Sequence, residues 1–168
     1  MTDKVNALAT AKARNPRFAS GTKARKVEFR ADFTSANSDN GDVIELAGPF
    51  SGSDRIASIA PSGVNIPALT SAADNDFGFY SKDEDGNYVE LDKDILLDGV
   101  DLSSATATNN LLSTMSNANY AKNIGEHLGL TVDQEPHGGI YLCWTMNTAN
   151  TATATVALDI EVDEATTS

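Results

Sequence analysis

Residues 151 to 163, TATATVALDIEVD, alternate so regularly that they dictate one layer of any fold this chain adopts. Ala152, Ala154, Val156, Leu158, Ile160 and Val162 fall on one face, and Thr151, Thr153, Thr155, Asp159, Glu161 and Asp163 on the other. A period of two is that of a strand buried on one side. Six inward apolar positions need a second layer, and the run Ile140 to Met146 is the nearest apolar strand. Asn147 to Asn150 between them is short and polar, so the two are expected to pair antiparallel. The small inward side chains call for bulky partners, Trp144 and the upstream phenylalanines, and hence for a β-sandwich.

The rest of the chain adds short strands at intervals. Lys26 to Phe33 alternates with Val27, Phe29, Ala31 and Phe33 inward, Asp42 to Leu46 forms a second strand before Gly48-Pro49, and Ile56 to Ala60 a third. Val64 to Leu69 is a further candidate, which Pro67 confines to an edge or a strand end. Asp76 to Ser81 and Tyr88 to Leu91 flank Asp85-Gly86, a strong hairpin signal. Leu111, Leu112, Met115, Ala118, Ala121, Ile124 and Leu128 follow helical spacing up to Gly129. The fold class is therefore all-β, an antiparallel sandwich with one short helical insertion and an extended N-terminal arm, divided as an arm over 1–25 and a body over 26–168.

Charge is unevenly placed. Residues 1–30 hold eight of the twelve basic side chains and two acids, a net +6, while the remaining 138 residues carry four basic and 22 acidic side chains, a net -18. An acidic body repels nucleic acid, whereas a basic arm can be attracted to any anionic surface, protein or polynucleotide. No run approaches the length of a membrane span and no secretory leader is evident, so no membrane partner is expected and synthesis is placed in a cytoplasm.

No catalytic constellation emerges, and none is expected: not an enzyme, with no cofactor and no metal. Asp83-Glu84-Asp85-Gly86-Asn87 gathers oxygens but has no calcium-loop pattern and strands rather than helices on its flanks, so it reads as a solvated hairpin tip. His127 and His137 lack metal-ligand spacing with each other or with Cys143, the single cysteine, which sits in an apolar strand as an inert core thiol. Phe29, Phe33, Phe77, Phe79, Tyr141 and Trp144 lie in strand patterns and are assigned to core packing.

The order of Gly41-Asp42-Val43-Ile44-Glu45-Leu46, Val64-Asn65-Ile66-Pro67, Asp76-Phe77-Gly78-Phe79-Tyr80, Asp94 to Val100, Gly125 to Leu130 and the Thr/Ala-rich last strand resembles a group of tailed-bacteriophage structural proteins. Many of these are capsid decoration or cement proteins with a jelly-roll β-sandwich. The resemblance spans residues 26 to 163 and brings no functional residues with it. It implies a virion protein, made in the host cytoplasm, that binds the major capsid protein on the outer head shell, often as a trimer, and stabilises that shell. A neck or tail component and a host-surface or glycan-binding module are the alternatives. The arm lies outside the match. Val5, Ala7, Leu8 and Phe18 give it apolar anchors, and Lys12, Arg14, Arg17, Phe18, Lys23 and Arg25 are expected to contact neighbouring capsid subunits.

Overall fold

The alternation of the last strand is realised over Ala154–Ala165, with Val156, Leu158, Ile160 and Val162 buried and the intervening residues facing outward. The computed structural model describes residues 12–13, 17–19 and 22–165, with side chains from Ala24 onward. In chain order the strands are β1 (Lys12–Ala13), β2 (Arg17–Ala19), β3 (Thr22–Phe33), β4 (Val43–Phe50), β5 (Arg55–Pro61), β6 (Asn75–Lys82), β7 (Tyr88–Leu97), β8 (Ile140–Met146) and β9 (Ala154–Ala165). They form two antiparallel sheets. One has the order β1-β3-β9-β5 with β2 also on β3, and the other β4-β8-β6-β7.

The sheets pack face to face because each presents one apolar face to the other. Phe29, Phe33, Leu158 and Ile160 meet Phe77, Phe79, Leu142 and Trp144, all buried in one cluster. Trp144 is its centre: its ring stacks on Phe77 at 5.6 Å and tilts against Phe33 at 5.1 Å, and its Nε1–H donates to Asn75 Oδ1 at 2.9 Å.

Two expectations are corrected at this point. β8 and β9 do not pair: β8 lies between β4 and β6, and β9 between β3 and β5 in the opposite sheet. Alternation tells which face of a strand is inward and is silent on which sheet holds it. The connection is pinned as it crosses, by Asn147 N–H on Asp74 O, Asn150 N–H on Ser38 O and Thr151 N–H on Thr70 O. Val64 to Leu69 forms no strand, only an isolated bridge between Ile66 and Thr106.

The helical insertion is real but broken. It comprises a 3-10 turn at Leu111–Thr114, α1 (Asn117–Tyr120) and α2 (Ile124–Leu128), followed by a second 3-10 turn at Val132–Gln134. Asn110, Ser116 and Asn123 each accept from a backbone N–H of the turn they precede, so the chain starts afresh three times rather than running through. Gly129, at φ 65°, ends α2. Leu111, Leu112 and Ile124 enter the core, and the segment closes the flank beside β5. There Asn110 Oδ1 accepts from Ile59 N–H and Tyr120 OH donates to Ala57 O, so side chains satisfy the outward groups of an edge strand.

Candidate attachment edge

The opposite flank is built from main chain. All twelve residues of β3 pair with β9, from Thr22↔Ala165 to Phe33↔Ala154. The other edge of β3 receives β2, through Arg17↔Ala24, Phe18↔Lys23 and Ala19↔Thr22, and β1, through Lys12↔Glu28 and Ala13↔Val27. Among the described residues no strand lies beside that edge at Phe29 to Phe33.

This arrangement distributes the six expected contact residues. Lys12, Arg17 and Phe18 sit in strands on the β3 edge, and Lys23 and Arg25 sit within β3 itself. Arg14 lies outside the described residues, as do the side chains of Lys12, Arg17, Phe18 and Lys23. Arg25 is committed to its own domain. Its Nε is 2.9 Å from Glu164 Oε1 without being aimed for a hydrogen bond, and its guanidinium lies over the Phe50 ring at 5.6 Å. Arg25 and Glu164 share the inward parity of β3 and β9, so they cap the end of the core. Charge counting saw the cation and missed its partner.

Three of the body's own cations are similarly engaged. Arg55 pairs with Asp163 and lies over the Tyr120 ring, Lys82 is 2.8 Å from Glu45, and Lys93 is 3.2 Å from Asp76. The acids on the β6–β7 hairpin and along β7 outnumber these partners. Burial, with Asp94 and then Glu90 nearby, raises the Asp92 carboxyl above its usual range, a sign of crowded like charge. The hairpin tip is self-satisfied: Asp83 Oδ1 accepts from the N–H groups of Asp85 and Asn87, and Oδ2 from the Asn87 amide. Among the described residues no group of three or more His, Cys, Asp and Glu is placed to hold a metal ion. His127 is half-buried and His137 exposed. An open depression of about 340 Å³ beside Arg55, lined by Ser53, Asn123, Glu126 and Asp163, has its cation already paired.

One cluster escaped the sequence reading. On the outer face of the second sheet, Lys82 Nζ lies 4.3 Å from the Tyr141 ring centre and 5.0 Å from that of Tyr88, and the Tyr88 hydroxyl donates to Glu45. With Tyr80 and Val43 they bury Cys143, whose thiol burial pushes well above its usual pKa. Tyr141 is thus half-buried outside the sandwich rather than in its core, a correction that parity with Trp144 would have supplied, since three residues separate opposite faces of one strand.

Compared with protein-family models, curated proteins and solved structures, the chain matches none of them.

Proposed function

We propose that the chain is a structural protein of a bacteriophage virion that decorates the outer head shell, binding the major capsid protein through its basic N-terminal segment and reinforcing the shell, most simply as a trimer. The observation that carries this reading is the seating, by main-chain pairing, of residues 12–13 and 17–19, within a segment 1–21 whose four basic residues and Asp3 give net +3, on the edge of a sandwich whose remainder is net -15. A sheet edge that accepts short strands is a natural place to join a neighbour. The strand order supports the jelly-roll form of the fold: β3 with β9, β4 with β8 and β6 with β7 are nested pairs, and the segment around Asn110 and Tyr120 stands where β5 would meet its partner. Jelly rolls recur in viral capsid and lectin domains, so the fold is compatible with the role without dictating it.

The test is attachment to shells assembled from the major capsid protein, with and without residues 1–21. The deletion stops at 21 because Thr22 to Arg25 pair with Val162 to Ala165 and belong to the body. The expected result is an intact sandwich with greatly weakened attachment. Exposed ion pairs contribute only about 0 to 1 kcal/mol each, so binding of the full chain also falls as salt is raised. Undiminished binding of the truncated protein at physiological salt refutes the reading.

A further inference from the structure

Where β8 leaves its sheet, three side chains meet that neither the packing of the core nor the attachment edge uses. Asn147 is the first residue past β8, and its backbone is fixed: its N–H donates to Asp74 O at 3.0 Å, and Asp74 N–H donates to Thr148 Oγ1 at 3.1 Å. Its side-chain Nδ2 donates to Asp76 Oδ2 at 2.6 Å and to Asp74 Oδ1 at 3.1 Å, while its Oδ1 accepts from Lys93 Nζ at 3.0 Å. Carboxylates only accept and an ammonium only donates, so these neighbours fix which end of the amide is nitrogen. Lys93 Nζ also stands 3.2 Å from Asp76 Oδ2, on a carboxylate only 2% exposed. β7 delivers Lys93 by bulging: Phe77 faces Leu97, but Phe79 faces Asp92, which throws the intervening residues out of the ladder beside Gly78.

An amine, an amide carbonyl and a buried carboxylate that touches both the attacking and the departing nitrogen are the parts of an acyl transfer. We propose that Lys93 and Asn147 join in an intramolecular isopeptide bond, with Asp76 moving the protons. Asp76 takes a proton from the Lys93 ammonium, and the freed Nζ lone pair forms a bond to Cγ of Asn147. Asp76 then hands that proton to Nδ2, the Cγ–Nδ2 bond breaks, and ammonia departs. The second proton of the attacking nitrogen returns through Asp76 and leaves with the ammonia as ammonium. Nothing is oxidised or reduced, and no co-reactant is needed. Burial acts to raise the Asp76 pKa, but hydrogen bonds from Gly99 N–H, the Asn147 amide and Lys93 outweigh it and hold the group below its ordinary value, so it is ionised beside both nitrogens. The product ties β7, the outermost strand of its sheet, to the crossing between the sheets, across 54 residues of sequence. Such a closure restricts the unfolded chain as a disulfide does.

The decisive measurement is the intact mass of the full-length protein after prolonged incubation at neutral pH, beside a Lys93→Arg variant prepared identically. The wild type is expected to be lighter than its sequence by one ammonia and Lys93→Arg to have its sequence mass. Tryptic digestion of the wild type should leave Lys93 uncleaved, in a fragment joined to the one holding Asn147. Asp76→Ala, which keeps both reacting groups, is expected to remain at its sequence mass; should it fail to fold, the wild-type mass decides alone. A wild type at its sequence mass overturns the proposal and leaves an ordinary ion pair. A loss of ammonia that persists in Lys93→Arg, or that maps elsewhere, overturns it equally. Shell binding does not enter, so the result stands apart from that of the attachment test.

Discussion

Replacing Trp144 probes the centre of the sandwich in two separable steps. Its indole is fully buried, stacks on Phe77, leans on Phe33 and donates to Asn75 Oδ1, while the Asn75 amide nitrogen is held by Ala72 O and Val100 O, each at 2.8 Å. Trp144→Phe keeps most of the ring contact but removes the donor, leaving a buried acceptor unpaired at a cost of about 1 to 3 kcal/mol. Trp144→Ala adds the cavity and the lost ring contacts, for which about 3 to 5 kcal/mol is typical of a buried aromatic. Against a total stability of about 5 to 15 kcal/mol for an ordinary domain, the alanine variant is expected to be partly unfolded and the phenylalanine variant folded but weakened by about 2 kcal/mol. Urea unfolding followed by far-ultraviolet circular dichroism measures both, since fluorescence is lost with the indole. A double-mutant cycle of Trp144→Phe with Asn75→Ala isolates the bond itself and should give a coupling of about 1 kcal/mol or more. A coupling indistinguishable from zero, with Trp144→Phe as stable as the wild type, would refute the assignment of this bond.

Two further perturbations test the second sheet. Gly78→Ala would place a Cβ 2.5 Å from Lys93 O and closer still to Asp92 O, where real contacts begin at 3.0 Å; the bulge of β7 must lift, and a loss of about 3 kcal/mol is expected in the same urea assay, whereas a variant of wild-type stability would deny the close crossing. Burial pushes the Tyr80 hydroxyl up to about 12, against its partner Thr145, and burial followed by the Glu45 hydrogen bond raises Tyr88 further. Below pH 10 folded and unfolded tyrosines are both protonated and contribute no pH dependence; between pH 10 and about 12 only the unfolded chain releases the proton, so stability falls by up to about 1.4 kcal/mol per pH unit for each group. Tyrosinate absorbance of the native protein checks this, and titration of all four tyrosines near pH 10 before unfolding would contradict it.

What the sequence discloses follows from the range of the forces that produce it. The faces of β3 and β9 are set by adjacent residues, and so are visible in alternation; the β6–β7 hairpin is set by its turn, where Gly86 takes φ 83° as Asp85-Gly86 leads one to expect. Pairing is set by the whole core. That Ile140–Met146 lies between β4 and β6 depends on residues a hundred positions away, and the short connection to β9 argues, wrongly, for a local hairpin. Helical spacing from Leu111 to Leu128 survives as burial of Leu111, Leu112 and Ile124, while the caps at Asn110, Ser116 and Asn123 divide the helix itself. The meeting of Asp76, Lys93 and Asn147 has no sequence signature at all, because a bulge, a strand and a crossing loop each supply one group.

The two flanks of the sandwich differ in a way that bears on the proposed attachment. Beside β5, outward backbone groups are met by Asn110 and Tyr120, and along β7 the side chains of Glu90, Asp92 and Asp94 discourage an incoming strand by charge and by the cost of desolvating them. Beside β3, the strands among the described residues are two and three residues long, and Phe29 to Phe33 meet none of them on that edge. Strand addition is therefore unfavourable on one flank and accommodated on the other. A basic segment seated on the accommodating flank gains from the acidic body's long-range field without depending on any single ion pair, since each is worth little when exposed. It follows that charge reversal at one arm residue such as Lys12 should weaken shell binding modestly, whereas removal of residues 1–21 should weaken it greatly. Equal losses from the two changes would mean that one contact, rather than the seated segment, holds the protein to its partner.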